Sequence, residues 1–294
     1  MTTALSWHQA SSERCFSPMN SREKLEKLKT LLESFGGCAV AYSGGVDSTL
    51  LLEVAHEVLG TRCLAVIATS STYPRREYAE ALQWVQAQSI PYVTLVSEEL
   101  DIPGFSENPP DRCYYCKKEL FSKILIEAKN FGASVVADGT NADDTGDFRP
   151  GMKAARELGV RSPLMECGLT KDDIRIISRE VYHLPTADKQ PMACMASRIP
   201  YGSSVTAEKL KQVEAVEDFL AGKGFKVFRA RHHGDLLRLE LGRDEMALLR
   251  REALASEIVA FAKHAGFVYV TMDLQGFRSG SMNEVLPQGG HHAL

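Results

Sequence analysis

Between residues 21 and 138, short apolar runs of strand length alternate with segments of helical period, and this alternation restricts the fold more than any other feature. CAVAY at 38–42, CLAVIAT at 63–69, YVTLV at 92–96 and SVVAD at 134–138 read as strands. Leu25, Leu28, Leu32 and Phe35 recur at helical spacing and stop at Gly36-Gly37. Further helices are predicted over 48–59, ended by Gly60, over 74–88, opened by Pro74, and over 118–131. Strands that alternate with helices imply right-handed crossovers and a parallel sheet. Such a sheet binds ligands beyond the carboxyl ends of its strands, so the chemistry is expected after Tyr42, Ala68, Val96 and Asp138.

The pattern changes beyond about residue 185. Residues 186–205 read as an active-site loop, because three prolines at 185, 191 and 200 interrupt any regular element. A helix over 206–222, strands over 225–231 and 235–241, helical stretches over 243–265 and a strand over 267–273 suggest a smaller α+β domain. The expected organisation is therefore a flexible tail at 1–18, an α/β domain at 19–185, the loop at 186–205, an α+β domain at 206–283 and a second tail at 284–294. Met19 would serve as well as Met1 for a start. A length of 294 residues accommodates one large domain or two modest ones.

The net charge is −4, which argues against a dedicated nucleic-acid binder. No apolar run approaches the ~20 residues that span a bilayer, and the N-terminus lacks a signal-peptide pattern, so a cytoplasmic protein without membrane contact is expected. Seven cysteines are an odd number and do not suit a disulfide framework. Cys38 and Cys63 lie in apolar runs and read as small buried hydrophobes, whereas Cys15 and Cys167 stand alone.

Ser43-Gly44-Gly45-Val46-Asp47-Ser48 follows the first strand and opens a helix. Unpaired N–H groups at a helix N-terminus favour an anion, and glycines let the backbone approach it closely. Ser43 and Ser48 can add hydroxyl donors. No lysine follows as it would in a Walker loop. S-G-G-x-D-S resembles the loop of the ATP pyrophosphatases, which split ATP into AMP and pyrophosphate. That resemblance implies that residues 43–48 hold the pyrophosphate and that Asp47 helps to place Mg2+. Gly139 and Asn141, in the loop after the fourth strand, and Ala68, at the end of the second, are further candidates for nucleotide contact.

Cys113 and Cys116 form a C-x-x-C pair at an expected helix start, where the helix dipole and Arg112, Lys117 and Lys118 should lower the thiol pKa values. Cys194, in the long loop, is the best third thiol. Three thiolates suit a cubane cluster with one open iron, while the same three with His183 could close a zinc site. A thioredoxin-like redox pair is a weaker fit. Arg198 stands beside Cys194 and could mark an anion site. Arg229 and Arg231, two apart on a strand, share a face and could clamp a phosphate.

SGGVDS, PPDRCYYCKKELF, DGTNADDTGDFRPGMKAARELGVRSPL and CMASRIPYG occur in this order and cover most of residues 37–205. Together they resemble the LarE family of ATP-dependent sulfur transferases, which convert the carboxylates of pyridinium-3,5-biscarboxylic acid mononucleotide to thiocarboxylates on the way to the nickel-pincer nucleotide cofactor. The resemblance implies an ATP pyrophosphatase domain, ATP and Mg2+ as cofactors, a sulfide source and a homo-oligomer, with a hexamer as one form. One branch of the family consumes a single loop cysteine, to which Cys194 corresponds. Another carries three cysteines and a [4Fe-4S] cluster, and Cys113 and Cys116 complete that set. Asp47, Cys194 and Arg198 are then the candidate catalytic residues, and Arg229 and Arg231 the candidate holders of substrate phosphate. The alternatives are a tRNA thiolase of the same ATP pyrophosphatase class, an amide-forming synthetase, which leaves the cysteines without a task, and a zinc module, which leaves SGGVDS without one.

Overall fold

The protein is described from a computed structural model over residues 20–146, 150–190, 193–278 and 280–286. The tail at 1–18, Met19, Cys15, Met192 and residues 287–294 lie outside that set.

The first half contains α1 (Ser21–Ser34), β1 (Cys38–Ala41), α2 (Val46–Leu59), β2 (Cys63–Thr69), α3 (Arg75–Ala87), β3 (Tyr92–Val96), α4 (Arg112–Phe131), β4 (Val135–Ala137), α5 (Pro150–Glu157), α6 (Pro163–Glu166) and α7 (Lys171–Glu180). The four strands form one parallel sheet in the order β3-β2-β1-β4. Successive residues point to opposite faces, and both faces of the inner strands β1 and β2 are covered. Cys38, Val40, Cys63, Ala65 and Ile67 pack with Leu28, Leu51, Leu164 and Ile174 from α1, α2, α6 and α7. Ala39, Leu64, Val66 and Val136 pack on the other side against Phe121 and Ile124 of α4 and Ala155 of α5. Burial on both faces is the reason the central strands read as unbroken apolar runs.

The second half contains α8 (Ala207–Gly222), β5 (Phe228–His233), β6 (Leu236–Leu241), α9 (Arg243–Met246), α10 (Glu252–His264) and β7 (Tyr269–Met272). Its small sheet has the order β5-β6-β7, antiparallel between the first two strands and parallel between the last two. The architecture is thus α/β with a parallel sheet, followed by a smaller mixed α+β layer. Met195, Ala196, Ile199 and Val205 of the long loop pack into the core of this second layer, together with Phe105.

Several elements depart from the sequence expectation. α4 begins at Arg112 rather than at 118, so the C-x-x-C pair sits inside the helix. Asn108 and Pro109 each precede a proline and are kept out of the α region, and the helix starts immediately beyond Pro110 and Asp111. β5 begins at Phe228 rather than at 225, because the N–H groups of Lys226 and Val227 donate to the Glu245 carboxylate instead of to a strand. The stretch 243–265 is broken between α9 and α10 by a 3-10 turn at Ala247–Arg250. α5, α6 and α7 lie outside the expected elements.

Candidate functional site

The loop after β1 is shaped by contacts that forbid larger residues. Gly44 has φ +63°, and a Cβ there would lie 3.0 Å from Cβ of Ala81 in α3. Gly45 is the N-cap of α2 and supplies no side-chain cap, which leaves the first N–H groups of that helix to a ligand. Ser43 and Ser48 face each other across the loop, with 3.0 Å between their hydroxyl oxygens. Tyr73 Oη donates to the Ser43 carbonyl at 2.6 Å and holds the loop from outside. Gly139 packs against the same helix start, where a Cβ would come within 3.0 Å of the Ser48 nitrogen. Its place is therefore to let two backbones meet.

Asp47 is ion-paired with Lys171, the first residue of α7, and Asn141 Nδ2 lies 3.4 Å from its other oxygen. Sequence reasoning misses Lys171. A signal is present: Thr170 and Asp173 form a capping box that starts α7 and fixes the lysine at its first position. The backbone N–H of Lys171 also donates to Asp143 at 2.8 Å.

Two adjoining cavities open from the phosphate loop. One, of about 500 Å3, is lined by Ser43, Gly45, Asp47, Asn141, Lys171, Arg229 and Arg231, among others. The other, of about 280 Å3, lies at the carboxyl ends of β1 and β2 and is lined by Ser43, Ala68, Glu99, Cys113, Cys116 and Cys194, among others. The three cysteines singled out from sequence thus share one cavity. Buried Asn108 helps to bring the third one in. Its Nδ2 donates to the carbonyls of Ile199 and Pro200 at 3.1 and 2.8 Å, and its own carbonyl accepts from Gly202. The Met195 N–H donates to the Thr72 carbonyl at 2.8 Å and fixes the chain next to Cys194.

Glu99 is a buried carboxylate that no sequence motif marks. It accepts from Thr72 Oγ1 at 2.6 Å and from Cys116 Sγ at 3.4 Å. The expectation of a lowered thiol pKa fails for Cys116. Burial pushes it up, the charge of Glu99 adds to the rise, and desolvation outweighs the opposing charge of Lys117. Cys113 and Cys194 are exposed.

Arg198 also departs from expectation. It is 2% exposed and bound by two 2.9 Å contacts to Glu217 of α8. Its Nη1 donates to the carbonyl of Ala193 at 2.6 Å and is also directed at that of Cys194. This guanidinium is spent on holding the Cys194 loop and does not serve an incoming anion. Burial pushes the Glu217 carboxyl up, but Arg198 and the N–H of Ala230 outweigh burial and hold it below the usual carboxylate range. Glu217→Ala would leave Arg198 buried and unpaired, a defect that costs about 3–5 kcal/mol. We expect a loss of stability on that scale in urea unfolding, and a loss below about 1 kcal/mol would contradict this role.

Arg229 and Arg231 both line the larger cavity. Burial, reinforced by the charge of Arg198, pulls Arg229 down to about 10, and its guanidinium lies 5.0 Å from the centre of the Phe277 ring. Arg231 is fixed by Glu240 at 2.7 Å, Ser281 at 3.0 Å and the Ser197 carbonyl at 3.0 Å. The zinc alternative loses its fourth ligand: His183 does not line the thiol cavity. Among the described residues, no three His, Cys, Asp or Glu side chains converge on a single ion. Among the same residues no helix is long and apolar enough to cross a membrane.

No family model matches the chain. It is 38% identical to an uncharacterized protein of Synechocystis, over 90% of this chain and 98% of that one. It is 35% identical to the pyridinium-3,5-bisthiocarboxylic acid mononucleotide synthase of Lactiplantibacillus plantarum, over 90% of this chain and 95% of that one. A subunit of the glutamine-hydrolyzing GMP synthase of Thermoplasma volcanium is 29% identical over 64% of each chain, so the likeness reaches the wider class that shares the phosphate loop. With the second of these relatives aligned along nearly its whole length, the chain belongs to the LarE family of pyridinium-3,5-bisthiocarboxylic acid mononucleotide synthases.

Proposed function

We propose that this enzyme uses ATP to adenylate the carboxylates of pyridinium-3,5-biscarboxylic acid mononucleotide, releases pyrophosphate and then AMP, and leaves thiocarboxylates. The observation that carries this reading is the adjacency of the two cavities: Ser43 belongs to both, so a phosphate loop and three thiols serve one reaction space. A carboxylate resists sulfur attack because oxide is a poor leaving group, and adenylation replaces it with AMP. The uncapped N–H groups of α2 stabilise the charge that develops on pyrophosphate, and Lys171 adds a cation beside Asp47. Asp47 would hold Mg2+ through its carboxylate, a hard oxygen ligand of the kind that ion prefers. Val66, Ala68, Leu120 and Ile124 give the thiol cavity an apolar wall suited to adenine. Arg229 would take the phosphate of the mononucleotide, with Arg231, already matched by Glu240 and Ser281, fixing the wall beside it.

The donor set fits a [4Fe-4S] cluster. Cys113, Cys116 and Cys194 line one cavity, and a cubane takes each thiolate at a separate iron. Ligation would also remove the Cys116 thiol proton that burial otherwise retains. When bound, such a cluster supplies an open iron for an extra sulfide, so a sulfide source is an implied partner. The test is anaerobic purification with iron and sulfide analysis, followed by product analysis with the substrate. AMP and pyrophosphate with cluster-level iron are expected, and ADP with phosphate would overturn the adenylation step.

A further inference from the structure

Arg112, the first residue of α4, is 5% exposed. Its guanidinium lies 4.7 Å from the centre of the Tyr201 ring, and the Tyr201 hydroxyl is itself anchored to Asn283 Oδ1 at 3.0 Å. Nη1 is buried without a hydrogen-bond partner, and among the described residues no carboxylate pairs with this guanidinium. Other buried arginines nearby are matched: Arg198 has Glu217, and Arg231 has Glu240. A cation withdrawn from water without a counter-charge is costly, so a site of this kind is completed by an anion from outside the chain.

The position of Arg112 shows which anion. It lines both the cavity that holds Asp47 and Lys171 and the cavity that holds the three thiols. Packing on Tyr201 fixes the guanidinium while leaving fork N–H groups for a planar, two-oxygen partner. The geometry points to Arg112 as the residue that grips the aromatic carboxylate about to be activated, holding it between the phosphate loop and the thiols. This assignment rests on the substrate reading above and adds a specificity-determining contact to it.

Isothermal titration of the full-length protein with nicotinic acid mononucleotide and with nicotinamide mononucleotide tests the assignment. The two probes share phosphate, ribose and pyridinium and differ in the carboxylate alone. We expect wild-type protein to prefer the acid by about tenfold to a hundredfold, the range of charge-assisted hydrogen bonds. Arg112→Gln should erase that preference, and Arg112→Lys, which keeps the charge but not the fork, should retain part of it. Thermal unfolding of Arg112→Gln without ligand should match or exceed wild type, because an unpaired buried charge is removed. A marked fall would make the residue structural and overturn the assignment. A preference for the acid that survives in Arg112→Gln would overturn it too, and would leave the thiols as the partners of this cation. Equal binding of the two probes by wild type would overturn it while leaving the proposed reaction intact. Binding of neither would overturn both.

Discussion

Serine at Cys113, at Cys116 or at Cys194 is expected to abolish both iron binding and sulfur transfer, each substitution alone sufficing. All three thiols line one cavity, and a hard hydroxyl replaces a thiolate poorly on iron. The competing chemistry, in which Cys194 gives up its own sulfur once and ends as dehydroalanine, predicts a different pattern. Only Cys194→Ser would then be inactive, and the C-x-x-C pair would have no task. One further observation favours shared ligation. The loop is held from both sides, by the Met195 N–H on Thr72 and by Arg198 on the Ala193 carbonyl, as suits a fixed ligand. Peptide mass spectrometry after turnover reads the outcome directly. An unchanged Cys194 in protein that has completed several cycles is expected, and dehydroalanine at 194 in anaerobically reconstituted protein would decide for the sacrificial route.

Asp47→Asn is expected to lower adenylation by at least about tenfold, the scale of losing ~1.4 kcal/mol of transition-state stabilisation. The substitution keeps the size of the side chain and the first turn of α2, so it removes charge rather than shape. Asp47 has two partners in the structure, Lys171 and Asn141. Loss of its charge would both weaken the proposed Mg2+ site and free Lys171 from its ion pair. Lys171→Met should therefore also slow the step, but by withdrawing a cation from the pyrophosphate. The two variants separate by their response to Mg2+. Raising the ion should rescue Asp47→Asn in part and should not rescue Lys171→Met. Adenylate formation followed by pyrophosphate release is the measurement. Wild-type rates in Asp47→Asn at limiting Mg2+ would remove Asp47 from the mechanism.

The parallel sheet was legible because its strands are local and the inner two, β1 and β2, are buried on both faces. The runs at Cys63–Thr69 and Tyr92–Val96 are observed at the predicted residues, since an apolar stretch flanked by polar turns leaves little choice of ends. The phosphate loop was legible for a similar reason: strand, glycines and helix start adjoin in sequence, and the anion site is a property of that junction. The start of α4 was not legible from periodicity, because Tyr114, Tyr115 and the lysines mask the helical stripe, although the two prolines before it marked the boundary.

What tertiary structure alone decided is which charges meet. Arg198 beside Cys194 invited an anion-binding role, but its partner Glu217 lies on α8, and no local pattern announces that pair. Lys171 meets Asp47, and Glu99 meets Cys116, across separate elements. The helix start and the neighbouring cations suggested reactive thiolates at the C-x-x-C pair, whereas folding surrounds Cys116 with enough protein for desolvation to prevail. Sequence determines a residue's chemical type and its local backbone. Burial and counter-charge, which set whether that residue is reactive, paired or waiting for a ligand, are long-range quantities fixed only when distant segments pack together.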